Sequence, residues 1–364
     1  MVDQMKIGIL TYHRSHNYGA LLQAIALRKV LTEMGHQVTY IDYWPAYHRH
    51  MYALFSFSKM NDQATIKSKY RYCKNCILYY SIRKKRIESF ESFIKRYISP
   101  FTSSLKDNYD IIVHGSDQIW RKQYEIHKYN PFYFGSHNIS AKKKISYAAS
   151  MGSLPNNEKD KQQLRKLVSN LDDISVREKD LKGMLMNMGY TQISHDLDPT
   201  MLLTSVQWKE IINCSISPSD KYAVFYQIKN SFDIAQLKNV CKDSGLKLIT
   251  ICSNANGYET DSVIRTANPM SFLSLIAGAE FVFTSSFHGL VFSLLFHKPF
   301  YASFSSNTER AESLLSLLSL SDRLLKPFVQ ISELDKNINY CNVDSIIKEL
   351  KEKSVAYLKN SLLI

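Results

Sequence analysis

Phe281-Val282-Phe283-Thr284-Ser285-Ser286-Phe287-His288-Gly289-Leu290-Val291-Phe292-Ser293-Leu294-Leu295-Phe296 decides the fold. The first four residues predict a short buried strand, Ser285-Ser286 a turn, and 290–296 a buried helix. His288 and Gly289 then stand at the carboxyl end of a strand and the amino end of a helix. In an open α/β sheet, ligands bind in that crevice. A helix start offers unpaired N–H groups and a positive dipole end, which suit phosphate or carboxylate. An imidazole beside a residue without a side chain points to an anion site with an acid or base in it. The competing roles for His288 are capping the helix or packing in the core.

Working outward, the same strand-then-helix alternation recurs on both sides. Toward the carboxyl terminus, strands are expected at 222–227, 247–251 and 300–303, and helices near 206–213, 231–244, 269–278 and 309–319. A final helix is expected at 344–362. Toward the amino terminus, strands are expected at 6–11, 38–43, 110–113, 144–149, 174–177 and 193–197, with helices at 20–34, 158–170 and 178–188. Short apolar runs alternating with amphipathic helices predict parallel sheets. The expected organisation is α/β: two Rossmann-like domains facing each other. The first covers 1–197 and the second 198–340, with 341–364 packing back on the first.

The stretch 44–100 interrupts the pattern. Between Arg49 and Arg96, twelve Lys/Arg face three acidic residues, a local charge of +9 within a chain of +13. Aromatics such as Phe90, Phe93 and Tyr97 recur at helical spacing, so a basic helical insertion is expected. It predicts peripheral contact with an anionic membrane, or else a solvated helical pair whose aromatics pack on the first domain. A nucleic-acid or acidic-polymer module ranks last, because the charge is local and the polar strand ends lie elsewhere. The chain has 364 residues, 45% of them hydrophobic, and no apolar run long enough to span a bilayer. Its start lacks a signal-peptide pattern. Six scattered cysteines, including an isolated Cys73-Lys74-Asn75-Cys76, fit ordinary packing in a reducing compartment. The expected location is cytoplasmic, at most peripheral on the inner face of the membrane.

Further candidates lie at other strand ends. Asn17 and Gly19 open the first helix, where a ligand can approach closely; the loop lacks GxGxxG. In His114-Gly115-Ser116-Asp117-Gln118-Ile119-Trp120, Asp117 is placed to accept a proton from a sugar hydroxyl and Trp120 to stack on a sugar face. The alternative for Asp117 is a turn cap. Arg177 stands at a strand-to-helix corner, where its planar fork suits a carboxylate or phosphate. Pairing with Glu178 or Asp180 is its other reading.

Taken together, the set YHRSHNYGALLQ (12–23), HGSDQIW (114–120), YAASMG (147–152), ISVRE (174–178), DPTML (198–202) and TSSFHGLVFSLLFHKP (284–299) resembles the polysaccharide pyruvyl transferase family. These motifs leave 44–100 uncovered. The resemblance implies a GT-B-like pair of domains and transfer from phosphoenolpyruvate onto two hydroxyls of a sugar, giving a cyclic pyruvate ketal. The acceptor implied is a cell-surface polysaccharide or its lipid-linked precursor. It calls for no metal and no cofactor beyond phosphoenolpyruvate as co-substrate. By resemblance, His288 contacts phosphate or transfers a proton, and Arg177, Ser286 and Gly289 border the donor. Ser286 stands where better-known members carry an arginine two residues before the histidine. Arg310 or Lys298 is then expected to supply the missing cation. Asp117 serves as acceptor base, with Asn17, Gly19 and Trp120 on the acceptor side. The alternative on the same fold is a nucleotide-sugar glycosyltransferase, which needs polar groups on a ribose; Glu309 is the one candidate.

Overall fold

In the computed structural model, the described residues are 4–123, 126–212, 220–252 and 262–363. Cys214 and the last residue of the expected helix 206–213 lie outside them. The first domain carries β1 (Lys6–Leu10), α1 (Tyr18–Glu33), β2 (Gln37–Ile41), β3 (Thr102–Ser103), β4 (Tyr109–His114) and β5 (Ala141–Ser146). Its sheet is parallel with strand order β3-β2-β1-β4-β5. Between β2 and β3 the chain forms α2 (Ala46–Met51), α3 (Phe57–Asn61), α4 (Ile66–Leu78) and α5 (Tyr80–Tyr97). Beyond β5 come α6 (Glu158–Val168), β6 (Ile174–Val176), α7 (Lys179–Asn187) and β7 (Ile193–His195). β6 and β7 pair with each other, and isolated bridges Ile145 to Asp173 and Ala149 to Val176 continue the sheet toward them.

The second domain follows with α8 (Ser205–Ile211), β8 (Tyr222–Gln227), α9 (Ile234–Asp243), β9 (Lys247–Cys252) and β10 (Ser262–Ile264). It continues with α10 (Pro269–Gly278), β11 (Phe281–Thr284), α11 (Phe287–Leu295), β12 (Phe300–Ser303), α12 (Glu309–Leu317) and β13 (Leu324–Leu325). Its parallel sheet runs β10-β9-β8-β11-β12-β13. In both sheets the order turns back at the first strand of the domain, between β1 and β4 and between β8 and β11. Those are the switch points where a crevice opens beyond the strand ends. The result is two Rossmann-like domains, each built on a parallel sheet.

α13 (Tyr340–Ser361) returns to the first domain. Its Ser354 hydroxyl accepts from Leu197 N at 3.0 Å, and Tyr357 donates to Ser146 O at 2.8 Å. An apolar core runs through the domain boundary. There Tyr18 of α1 stacks on Phe272 of α10 at 4.5 Å and donates to Ala267 O at 3.0 Å. Among the described residues no helix is long and apolar enough to cross a membrane.

The decisive helix begins three residues earlier than its apolar run suggests. Ser286 has an extended backbone and its hydroxyl accepts from Gly289 N at 3.4 Å, so it is the N-cap and Phe287 the first helical residue. His288 therefore does not cap the helix. Three short edge strands, β3, β10 and β13, carry too few residues for a periodic signal. The expected strand 144–149 is shifted, because Ala141 to Lys144 pair with β4 despite three consecutive lysines.

Candidate active site

Five strand ends aim their loops at one cleft of ≈ 310 Å³ between the domains. From the first domain come Asn17, Asp117, Gln118 and Arg121; from the second come Lys229, Ser285 to His288, Ser305 to Asn307 and Arg310. Arg177 and Asp198 close a smaller cavity directly behind it, which shares Phe287 and Arg310 with the cleft.

Asp198 is the hub. Fully buried just past β7, it places Oδ2 2.9 Å from Arg177 Nη1 and 3.3 Å from His288 Nε2. Its Oδ1 accepts from Thr200 N at 2.9 Å and Thr200 Oγ1 at 2.6 Å. Burial pushes this carboxyl up, but Arg177, then His288 and Thr200, outweigh it and hold the group well below the usual carboxylate range. An ionised Asp198 therefore fixes the imidazole from one side. On the other side lies Gly19: a Cβ there would fall 1.9 Å from His288 Nδ1. The second domain's histidine thus lies flat against the first turn of α1, and only glycine leaves room for it. Gly289, by contrast, is required for packing, since a Cβ would meet Thr284 Oγ1 at 2.3 Å.

Arg177 is buried, with its guanidinium engaged by Asp198 and donating to Ser116 Oγ. Its partner is neither Glu178, which accepts from Ser150 Oγ, nor Asp180. Arg177 lies one layer behind the cleft and supplies charge to it from there. Arg310 lines the cleft itself, as do Arg121 and Lys229. Its guanidinium sits 5.0 Å from the Phe287 ring and that of Arg177 sits 5.6 Å from the same ring. Burial, then the charge of Arg177, pull the Arg310 pKa down, while Glu178, Asp117 and Asp198 oppose that. Its buried Nε has no hydrogen-bond partner among the described residues. Lys229 adds a further cation, with Nζ donating to Ser306 Oγ at 2.6 Å. Two crowded guanidiniums, a lysine and the first-turn N–H groups of α11 form an electropositive pocket that an anion would neutralise. Lys298 is elsewhere: it precedes β12, at the amino ends of the strands rather than the carboxyl ends that face the cleft, near Glu280 and Lys209.

Asp117 lines the cleft with a left-handed backbone, φ 72°, a conformation Asp tolerates better than most residues. One of its oxygens accepts from Gln118 N at 2.8 Å; Asp117 is also the turn cap. Asn17 borders the cleft too, while its Oδ1 caps α1 by accepting from Ala20 N at 3.1 Å. Trp120 does not reach the cleft. It is fully buried, donates from Nε1 to Tyr133 O at 3.1 Å and stacks on Phe134 at 5.0 Å, so no sugar can lie on it. His114, in the same motif, is locked to Ile145 O at 3.1 Å and His137 Nε2 at 3.0 Å. The Cys73/Cys76 pair is structural: Cys73 contacts Met60 Sδ at 3.8 Å and Cys76 accepts from Arg83 at 3.1 Å.

Sequence reasoning passed over Asp198, Phe287 and Lys229. Asp198 had a signal, a carboxylate directly after a strand end, but it reads as a domain crossing. Phe287 reads as core, and Lys229 as one lysine among many.

Comparison with known proteins bears on this arrangement. The family described as polysaccharide pyruvyl transferase matches residues 17–307. A search of curated proteins finds no significant match. Among solved structures, the UDP-GlcNAc 2-epimerase of Methanocaldococcus jannaschii is 11% identical, covers 99% of this chain and 93% of its own, and has a TM-score of 0.48. The glycosyltransferase SnogD of Streptomyces nogalater is 12% identical over 100% of both chains, with a TM-score of 0.42. The E. coli heptosyltransferase WaaC with ADP is 11% identical, covers 95% of this chain and 100% of its own, with a TM-score of 0.39.

Proposed function

Because the chain belongs to the polysaccharide pyruvyl transferase family, a transferase family, we propose that it moves the pyruvyl group of phosphoenolpyruvate onto two hydroxyls of one sugar, forming a cyclic ketal. The supporting observation is the electropositive pocket at the start of α11, with Arg310 and Arg177 at one aromatic ring and the Asp198–His288 pair beside it. Phosphoenolpyruvate brings a phosphate and a carboxylate on one small molecule. Arg310, Lys229 and the α11 amino end take those anions, and Arg177 adds its field from behind. Arg310 thereby supplies the charge that Ser286 lacks.

Protonation of the methylene carbon gives an oxocarbenium-like centre, which the first sugar hydroxyl attacks. The carbon–oxygen bond to phosphate then breaks, and the second hydroxyl closes the ring. Of the two hydroxyl protons released, one balances the proton now in the methyl group and the other leaves on inorganic phosphate. His288 handles the proton on the donor side, with Asp198 orienting its ring. Asp117, across the cleft, accepts from the sugar hydroxyl. Acid–base help of this kind contributes roughly 10²–10⁴-fold, and preorganised cations stabilise the departing phosphate. The acceptor is a lipid-linked precursor of a surface polysaccharide, modified at the inner face of the membrane in the cytoplasm, with Asn17 on its side of the cleft.

The direct test is phosphate release from phosphoenolpyruvate in the presence of a diol-bearing oligosaccharide, together with a new acid-labile pyruvate ketal in the product. His288→Ala in a folded protein abolishes both. Near-normal turnover in that variant would refute the assignment.

A further inference from the structure

The basic insertion is not uniformly solvated. Seven of the large hydrophobic side chains exposed among the described residues crowd into 55–80: Phe55, Phe57, Ile66, Tyr70, Ile77, Leu78 and Tyr80. Four of them belong to α4, and three of these follow helical spacing along one face. Ile66, Tyr70 and Ile77, at i, i+4 and i+11, form one stripe, exposed by 87%, 70% and 79%. One residue on, Lys67, Arg71 and Lys74 form a second exposed stripe beside it, ending at Leu78. The back of the helix is held by Cys76 and by Tyr72, whose hydroxyl accepts from Ser56 N at 3.0 Å. A capping box at Thr65 and Ser68 fixes its start, and α4 contains four Lys/Arg and no acid.

We propose that this face of α4 seats the enzyme on an anionic lipid bilayer, with Ile66, Tyr70, Ile77 and Leu78 entering the headgroup boundary and Lys67, Arg71 and Lys74 on the lipid phosphates. Only its purpose rests on the lipid-linked acceptor proposed above. The chemistry selects the occupant. The two exposed isoleucines of the stripe have no use for a nucleic-acid backbone, and a second copy would bring the same positive charge against it. An anionic bilayer offers apolar depth and negative charge together. Two other arginines of the insertion, Arg83 and Arg86, turn inward. Arg83 donates to Ala53 O at 3.1 Å, and Arg86 donates to Tyr18 Oη, Cys252 O and Arg265 O at 3.2, 3.0 and 3.1 Å. Arg83 and Arg86 are thus engaged within the fold, and the docking charge is assigned to α4, whose exposed Lys67, Arg71 and Lys74 flank the apolar stripe.

The test is cosedimentation of the full chain with vesicles of phosphatidylcholine alone or with three-tenths phosphatidylglycerol. The wild type should bind the anionic vesicles and not the neutral ones. A Lys67→Gln/Arg71→Gln/Lys74→Gln variant should bind on the order of 100-fold more weakly. An Ile66→Ser/Tyr70→Ser/Ile77→Ser variant, with every charge kept, should also lose binding. Both should melt as the wild type does and still bind phosphoenolpyruvate, which separates this proposal from the one about the cleft. Equal binding to both vesicles, or anionic binding untouched by either variant, would overturn it. So would a wild-type dimer in sedimentation velocity that the serine variant converts to monomer.

Discussion

Asp198 and Gly19 show how much of the site lives in single residues that touch no substrate. Asp198→Asn leaves the shape but removes the charge that balances a buried guanidinium, and breaking such a pair costs about 3–5 kcal/mol. The expected result is a clearly lowered melting temperature with turnover reduced at least as far as in His288→Ala. Gly19→Ala isolates positioning from charge. Its methyl would collide with His288 Nδ1, so turnover should fall about 10²-fold while phosphoenolpyruvate affinity stays close to wild type. Unchanged turnover in Gly19→Ala would mean that the imidazole position does not matter. The sequence showed that a histidine and a glycine stood at a junction, but not that they came from opposite domains. Trp120 was the converse error: a tryptophan after a polar strand end reads as a sugar platform, yet Tyr133 O takes its N–H and Phe134 covers its face. Sequence spacing places a side chain at a strand end without saying which way it turns.

At the level of elements, α11 and α5 carry the argument. α11 was legible as a strand-to-helix corner because its apolar run and the Ser pair are local signals. Its true start was not, because Phe287 and His288 become helical only through the Ser286 cap. Ser286→Ala should cost about 0.5–2 kcal/mol of stability, a loss that thermal melting would detect. α5 was legible as a basic amphipathic helix, but its role at the domain boundary was not. Arg86 reaches across to the carbonyls of the last residue of β9 and the residue after β10, and to Tyr18 beside Gly19, contacts between residues separated by up to 179 positions. Hydrogen bonds from a charged donor contribute about 1.5–3 kcal/mol, so Arg86→Ala should destabilise the chain by that order. Vesicle binding should be unaffected. Loss of vesicle binding with normal melting would reverse the division of labour between α5 and α4.

For the whole molecule, the two parallel sheets followed from alternation alone, and their switch points explain why the polar residues converge on one cleft. The edge strands and the hub at Asp198 escaped because they depend on contacts across the whole chain. The same long-range packing sets the response to acid. Burial lowers His114 to about 3 and both His48 and His137 to about 4, each from near 6.5. Unfolding lets these rings take protons, so stability is intact above about pH 6.5 and is lost as pH falls toward 4. Fully buried His114 alone contributes a slope of up to ~1.4 kcal/mol per pH unit in that window. Melting temperature should therefore drop between pH 7 and 5, before Asp42, held at about 2, becomes protonated. A flat profile across that range would show that these histidines are not excluded from protonation.

In the proposed function, the cleft between the domains takes phosphoenolpyruvate, with Arg310 among its cations. Calorimetric titration of the wild type and Arg310→Ala with phosphoenolpyruvate, beside a panel of nucleotide sugars at the same ionic strength, tests it most directly. Saturable binding of phosphoenolpyruvate to the wild type, weakened at least tenfold in Arg310→Ala and absent for the nucleotide sugars, is the predicted result. Binding of a nucleotide sugar with none of phosphoenolpyruvate would contradict the account and make the cleft that of a glycosyltransferase.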